Sequence, residues 1–136
     1  MIVAAIAGGG GVDAVVDQRQ EERRAEPLAV LPLYDGEAIG TSGDYQRYFL
    51  ADGHRYHHLI DPRTGWPATE NQAFTVVILP QPDHRTGLRS DVVSKPLFLA
   101  GDDWPRYAAR FGVTRALRVA ADGTITAVAQ TGPVEY

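Results

Sequence analysis

The sequence predicts an α+β fold in which antiparallel hairpins and a central strand pack against one helical layer. Three observations carry that prediction. Two Asp-Gly pairs, Asp52-Gly53 and Asp122-Gly123, each join two β-favouring runs, the short-range signature of a tight hairpin. The apolar run Ala73 to Leu79 (AFTVVIL) is stopped by Pro80 and Pro82 and reads as a buried strand. Helix-compatible sequence follows, from the His84 to Leu88 region to about Ala100 and again from Asp103 to Phe111. With 136 residues, 44% hydrophobic and 22% charged, the chain has the size and composition of one globular domain.

In chain order, Met1 to Ala7 reads as a short buried strand; it is too short to span a bilayer and lacks the basic flank of a secretory signal. Gly8 to Gly11 and the polar stretch Gln18 to Arg24 make residues 1–27 an irregular leader, with a partial helix from Val12 to Arg24. Leu28 to Leu33 around Pro32 is a short edge strand, and Tyr34-Asp35-Gly36 is a turn. Gln46 to Leu50 and Arg55 to Ile60 are the arms of the first hairpin. Asp61 to Pro67 is a rigid loop with two prolines and a glycine. Pro96 has no N–H and collides with the Val92 carbonyl, so the helix is expected to bend or restart there. Asp102 is the expected N-cap of the next helix and Gly112 its stop. Thr114 to Ala120 and Thr124 to Ala129 form the second hairpin, which ends a domain over 28–130, and 131–136 is a frayed tail.

Composition excludes several chemistries. The chain has no cysteine, so disulfides, thiolate metal sites and cysteine nucleophiles are ruled out. A net charge of −4 offers no basic surface for nucleic acid. Of the 13 basic residues, Lys95 is the only lysine. Trp66 and Trp104 are expected to anchor packing, and His54 and His84 to lie in solvent beside turns.

Three constellations could carry chemistry. Gly40-Thr41-Ser42-Gly43-Asp44-Tyr45, with Arg47 two residues on, brackets hydroxyls with glycines. Such a segment can cradle an anion on backbone N–H groups, or be a turn before a strand. In Tyr56-His57-His58-Leu59-Ile60-Asp61-Pro62-Arg63-Thr64-Gly65, strand alternation sends His57 and His58 to opposite faces. One imidazole can then serve a site, and the Asp-Pro loop holds the strand end rigid. In Ser90-Asp91-Val92-Val93-Ser94-Lys95-Pro96, Asp91 and Lys95 are i, i+4 partners on a helix. Its carboxylate, carbonyl and hydroxyl oxygens are the donors a hard cation takes, and the Lys95 ammonium is an alternative occupant of the same place.

Taken together, these segments resemble the ApbE family, the FAD:protein FMN transferases. The match runs from about Leu28 to Ala129, and Gly8 to Gly10 loosely resembles a strand-turn that precedes this region in the family. The resemblance implies a partial ApbE-like (T-fold-related) domain, corresponding to the carboxy-terminal part of longer members. It implies FAD as substrate, Mg²⁺ as metal, and a flavin-acceptor protein whose Ser or Thr receives FMN as AMP leaves. By the same resemblance, His58 activates the acceptor hydroxyl, and Thr41, Ser42, Gly43, Arg47 and Ile60 hold the nucleotide. Asp91 and Ser94 belong to the metal motif. Lys95 stands where the family has Thr, and its ammonium either lowers metal affinity or replaces the metal charge. The chain is expected to be weakly active or inactive alone, the alternatives being a residual flavin-binding module and an inert fragment. Family members often act outside the cytoplasmic membrane, whereas this chain shows neither a signal nor a lipobox cysteine, and would be cytoplasmic if complete.

Overall fold

The structure is a computed structural model that describes residues 2–7, 27–45 and 47–129. The expected partial helix at Val12 to Arg24, the glycine run and the tail lie outside the described residues. A four-stranded antiparallel sheet forms the centre. It comprises β3 (Ala38–Gly43), β8 (Asn71–Ile78), β9 (Arg115–Ala120) and β10 (Ile125–Ala129), in the order β10-β9-β8-β3. The apolar run read as a buried strand is β8, hydrogen-bonded on both sides, with Val76 opposite Gly40 on one flank and Ala116 on the other. β9 and β10 are the second expected hairpin, with Val119 opposite Ile125.

The first hairpin is β4 (Tyr48–Ala51) with β5 (His54–His57), and Asp52-Gly53 turns it. Both turn residues have positive φ, 49° and 76°, the pattern that matches the natural twist of paired strands. The Asp-Pro loop links two short strands, β6 (Ile60–Asp61) and β7 (Trp66–Pro67). Strands β1 (Ile2–Ala7) and β2 (Pro27–Leu33) pair with each other in a separate two-stranded sheet.

Strand alternation sorts the core into two faces. Phe74, Val76 and Ile78 of β8 pack under α1 (Thr86–Leu99) and α2 (Trp104–Phe111), against Leu97, Phe98, Trp104 and Ala108. This is the expected helical layer. The opposite face is covered as well: Leu33 seats on Val77, and Leu31 packs against Leu117 and Val119.

Four local expectations are corrected. Helix α1 does not restart at Pro96: one helix continues through it, because Leu97 and Phe98 immediately after it are fully buried and hold the chain in register. Asp102 caps nothing: it lies in a 3₁₀ turn, Gly101–Asp103, and pairs with Arg118 at 2.8 Å, while α2 opens at Trp104 with Pro105 in its first turn. Gly40 to Gly43 is a ladder strand rather than a turn or an N–H cradle. Trp104 is buried edge-on to Phe74, but Trp66 is 64% exposed and meets Tyr56 instead of the core.

Candidate functional site

Glycine sets the site's geometry. A Cβ on Gly40 would collide with the Ser90 carbonyl and come within 2.9 Å of the Asp91 nitrogen. Its absence lets α1 lie directly on β3. One residue further on, β3 alternates: Thr41 Oγ1 bonds Thr75 Oγ1 at 2.8 Å, while Ser42 turns toward the helix. Ser42 Oγ and Ser94 Oγ are 2.8 Å apart, both buried, and the Ser94 hydroxyl donates to the Asp91 carbonyl at 2.9 Å. A hydroxyl has one proton, so Ser42 is the donor to Ser94. The Lys95 ammonium donates to the same Asp91 carbonyl at 3.0 Å and to Asp91 Oδ1 at 2.8 Å.

The two histidines part as alternation requires. His57 is buried: its Nδ1 accepts the Leu59 N–H at 3.1 Å and its Nε2 donates to the Ala68 carbonyl at 2.6 Å. Both nitrogens are committed, which fixes the tautomer and gives His57 a structural role. His58 is exposed. Its backbone N–H and its Nδ1 both donate to the Arg47 carbonyl, at 3.1 and 3.3 Å. With the proton on Nδ1, the Nε2 lone pair of the neutral ring is left to act as a base.

The loop after the histidines is braced by Asp61, which accepts the Arg63 backbone N–H at 2.8 Å and the Arg63 guanidinium at 2.8 to 3.2 Å. Those Arg63 hydrogen bonds hold the Asp61 carboxyl below the usual carboxylate range. Arg63 also reaches the Leu99 carbonyl at the end of α1, at 3.2 Å, and ties the loop to the helix.

These pieces enclose a cavity of about 390 Å³ lined by Thr41, Ser42, Gly43, Tyr45, Arg47, His58, Leu59, Asp91 and Lys95. Seven of these nine come from the three sequence constellations as expected site residues. Two expected residues are not in the lining. Ile60 is 46% exposed on β6, and Ser94 lies buried behind Ser42. Tyr45 and Leu59 line the cavity without having been singled out; the signal for Tyr45 was its place beside Gly43, where a Cβ would meet its ring. A second cavity of about 360 Å³ holds Asp44, Arg55 and His57, but Asp44 and Arg55 neutralise each other at 2.7 Å and both His57 nitrogens are bonded.

The lining brings Arg47, Lys95 and His58 to one polar cleft, residue types that suit part of an anionic nucleotide. It does not suit Mg²⁺. Among the described residues of the lining Asp91 is the one carboxylate, and its Oδ1 and carbonyl are both bonded to Lys95. Among the described residues no three His, Asp or Glu side chains converge to hold a metal ion.

Comparison with known proteins agrees with this reading of the fold. The ApbE family model matches residues 5–117. An FAD:protein FMN transferase of Rhodobacter capsulatus is 37% identical over 133 residues, covering 91% of this chain and 24% of that protein. The Escherichia coli (strain K12) protein of the same name is 34% identical over 89 residues, covering 65% and 24%. Among solved structures, an ApbE protein from Thermotoga maritima superposes with a TM-score of 0.67 at 31% identity, over 95% of this chain and 36% of that one. The flavinyl transferase ApbE of Pseudomonas stutzeri, in its apo form, gives 0.52 at 36% identity, over 72% and 30%. The chain thus spans about a quarter of the length of these curated relatives. Over the residues it has, it belongs to the ApbE family.

Proposed function

We propose that this chain carries part of the nucleotide site of an FAD:protein FMN transferase, an activity that moves FMN from FAD to a hydroxyl of an acceptor protein. One observation carries the reading: residues from three separate sequence segments, His58 and Arg47 with Thr41-Ser42-Gly43 and Asp91, meet around one cavity. In the proposed step the acceptor oxygen attacks the FMN phosphorus of the FAD pyrophosphate. The new P–O bond forms as the bond to AMP breaks, and the hydroxyl proton goes to His58 Nε2. The Arg47 guanidinium offsets phosphate charge. Thr41, Ser42 and Gly43 shape the floor, Ser94 holds Ser42 from behind, and Ile60 flanks the flavin at the rim.

Titrating FAD fluorescence with the purified chain tests the reading. Saturable binding that weakens about tenfold in Arg47→Ala, a loss of roughly 1.4 kcal/mol, is expected. His58→Ala should keep binding and abolish transfer wherever transfer is measurable. Transfer by this chain alone is expected to be weak or absent, since it spans about a quarter of its relatives' length. Failure to bind FAD at concentrations up to about 1 mM, a free energy weaker than roughly −4 kcal/mol, would rule out a nucleotide site here.

A further inference from the structure

We propose that Lys95 is a built-in cation of this site: its ammonium occupies the place a divalent ion would take on Asp91 and serves the phosphates in that ion's stead. The geometry points there directly. Nζ is 2.8 Å from Asp91 Oδ1 and 3.0 Å from the Asp91 carbonyl, so it sits between the two oxygens that an ion chelated by Asp91 would use. The carbonyl has a further claim on it, the Ser94 hydroxyl at 2.9 Å. That hydroxyl is anchored in turn by Ser42, and both serines are buried. The Asp91 carbonyl is therefore taken by two protein donors and Oδ1 by one, and β3 supports the cluster from below through Ser42.

The ammonium is not sealed in. The Lys95 side chain is 44% exposed and lines the same cavity as Arg47 and His58. It has three N–H donors, and the two Asp91 oxygens take two of them. The third can face a phosphate oxygen. A lysine binds phosphate as a point charge, which is the charge-neutralising part of a metal's work without its demand for six oxygens. The ligand class is a pyrophosphate-bearing nucleotide taken without a divalent ion.

The role at the phosphates rests on the nucleotide reading above; the exclusion of metal does not, and two measurements keep them apart. The first is Mn²⁺ binding to the full chain, followed by electron paramagnetic resonance with no nucleotide present. The wild type is expected to show no Asp91-dependent Mn²⁺ site, and Lys95→Thr to gain one that is lost again in the Lys95→Thr/Asp91→Asn double variant. A Mn²⁺ site in the wild type that disappears in Asp91→Asn overturns the proposal. So does a Lys95→Thr chain that gains nothing. The second measurement is FAD binding in EDTA and in Mg²⁺. Equal wild-type affinities in the two, with an approximately tenfold loss in EDTA for Lys95→Met, support the ammonium at the phosphates. Mg²⁺-dependent wild-type binding overturns it. If FAD fails to bind in both media while the Mn²⁺ results hold, the nucleotide role falls and the exclusion of metal stands.

Discussion

At Asp61 a single residue does the work that makes the histidine strand a usable presenter. Its carboxylate is gripped by the side chain and backbone of Arg63, and its own carbonyl accepts the Gly65 N–H at 2.8 Å. The Arg63 hydrogen bonds lower the Asp61 pKa below its ordinary value of 3.8. A native pKa below the unfolded one means that this stabilisation is complete above the unfolded value and is lost as pH falls through the native one. Arg63→Gln should therefore destabilise the chain at neutral pH, and the gap to wild type should narrow in acid. Urea melts of both proteins across that range decide the matter. A gap that stays constant at every pH would assign the cost to the Leu99 contact alone, which does not titrate. His57 belongs to the same scale. Adjacent strand residues face opposite ways, so sequence could separate it from His58. Which of the two faced the cavity depended on Ala68, whose carbonyl reaches His57 Nε2 only once the chain folds back on itself.

Among the elements, the contact of β3 with α1 positions the site. The backbone of Gly40 nearly touches that of Ser90, and the Ser42 to Ser94 hydrogen bond follows from that approach. Because the colliding atoms are backbone, neither element can yield cheaply. Gly40→Ala should cost about 1–3 kcal/mol, the usual penalty of overpacking. It should also loosen Asp91 and Lys95 from the cavity floor. Denaturant unfolding measures the first effect, and the amide resonances of residues 91–95 report the second. A variant as stable as wild type would remove the glycine from the account. This contact also marks where sequence reading reaches its limit. The hairpin turns were legible because Asp-Gly dictates its own backbone. Strand β8 was legible because a buried run has no polar alternative. The segment Gly40 to Gly43 read as a turn because glycine usually signals one; here it serves a helix some fifty residues away, and nothing local records that. Pro96 misled in the same manner, since burial of Leu97 and Phe98 outweighs its local cost. The site residues were legible only in part. Asp91 and Lys95 share a helix face by spacing, but their meeting with His58 and Arg47 came from resemblance to a family and not from periodicity.

The whole molecule places its chemistry at one edge. Strand β3 ends the sheet order, with α1 above it and the Arg47 to His58 segment alongside. Among the described residues, β10 at the opposite edge and its neighbour β9 contribute none to the cavity lining. The interior between them is rigid: β8 is hydrogen-bonded on both sides, and its faces are covered by the helices and by β2. A ligand in the cavity should therefore act locally. Amide hydrogen exchange on the chain with saturating FAD should slow in residues 41–47, 58–60 and 91–95, and should leave residues 115–129 unchanged. The edge residues have the most to gain, because local opening there is cheaper than opening of the doubly covered core. Protection confined to the second cavity, around Asp44, Asn71 and Gln72, would move the site to the other side of His57. Uniform protection of the chain would mean that FAD stabilises the fold as a whole without reporting where it binds. Protection of the three segments together would show that residues far apart in sequence act as one nucleotide surface, which is what the convergence of Arg47, His58 and Asp91 requires.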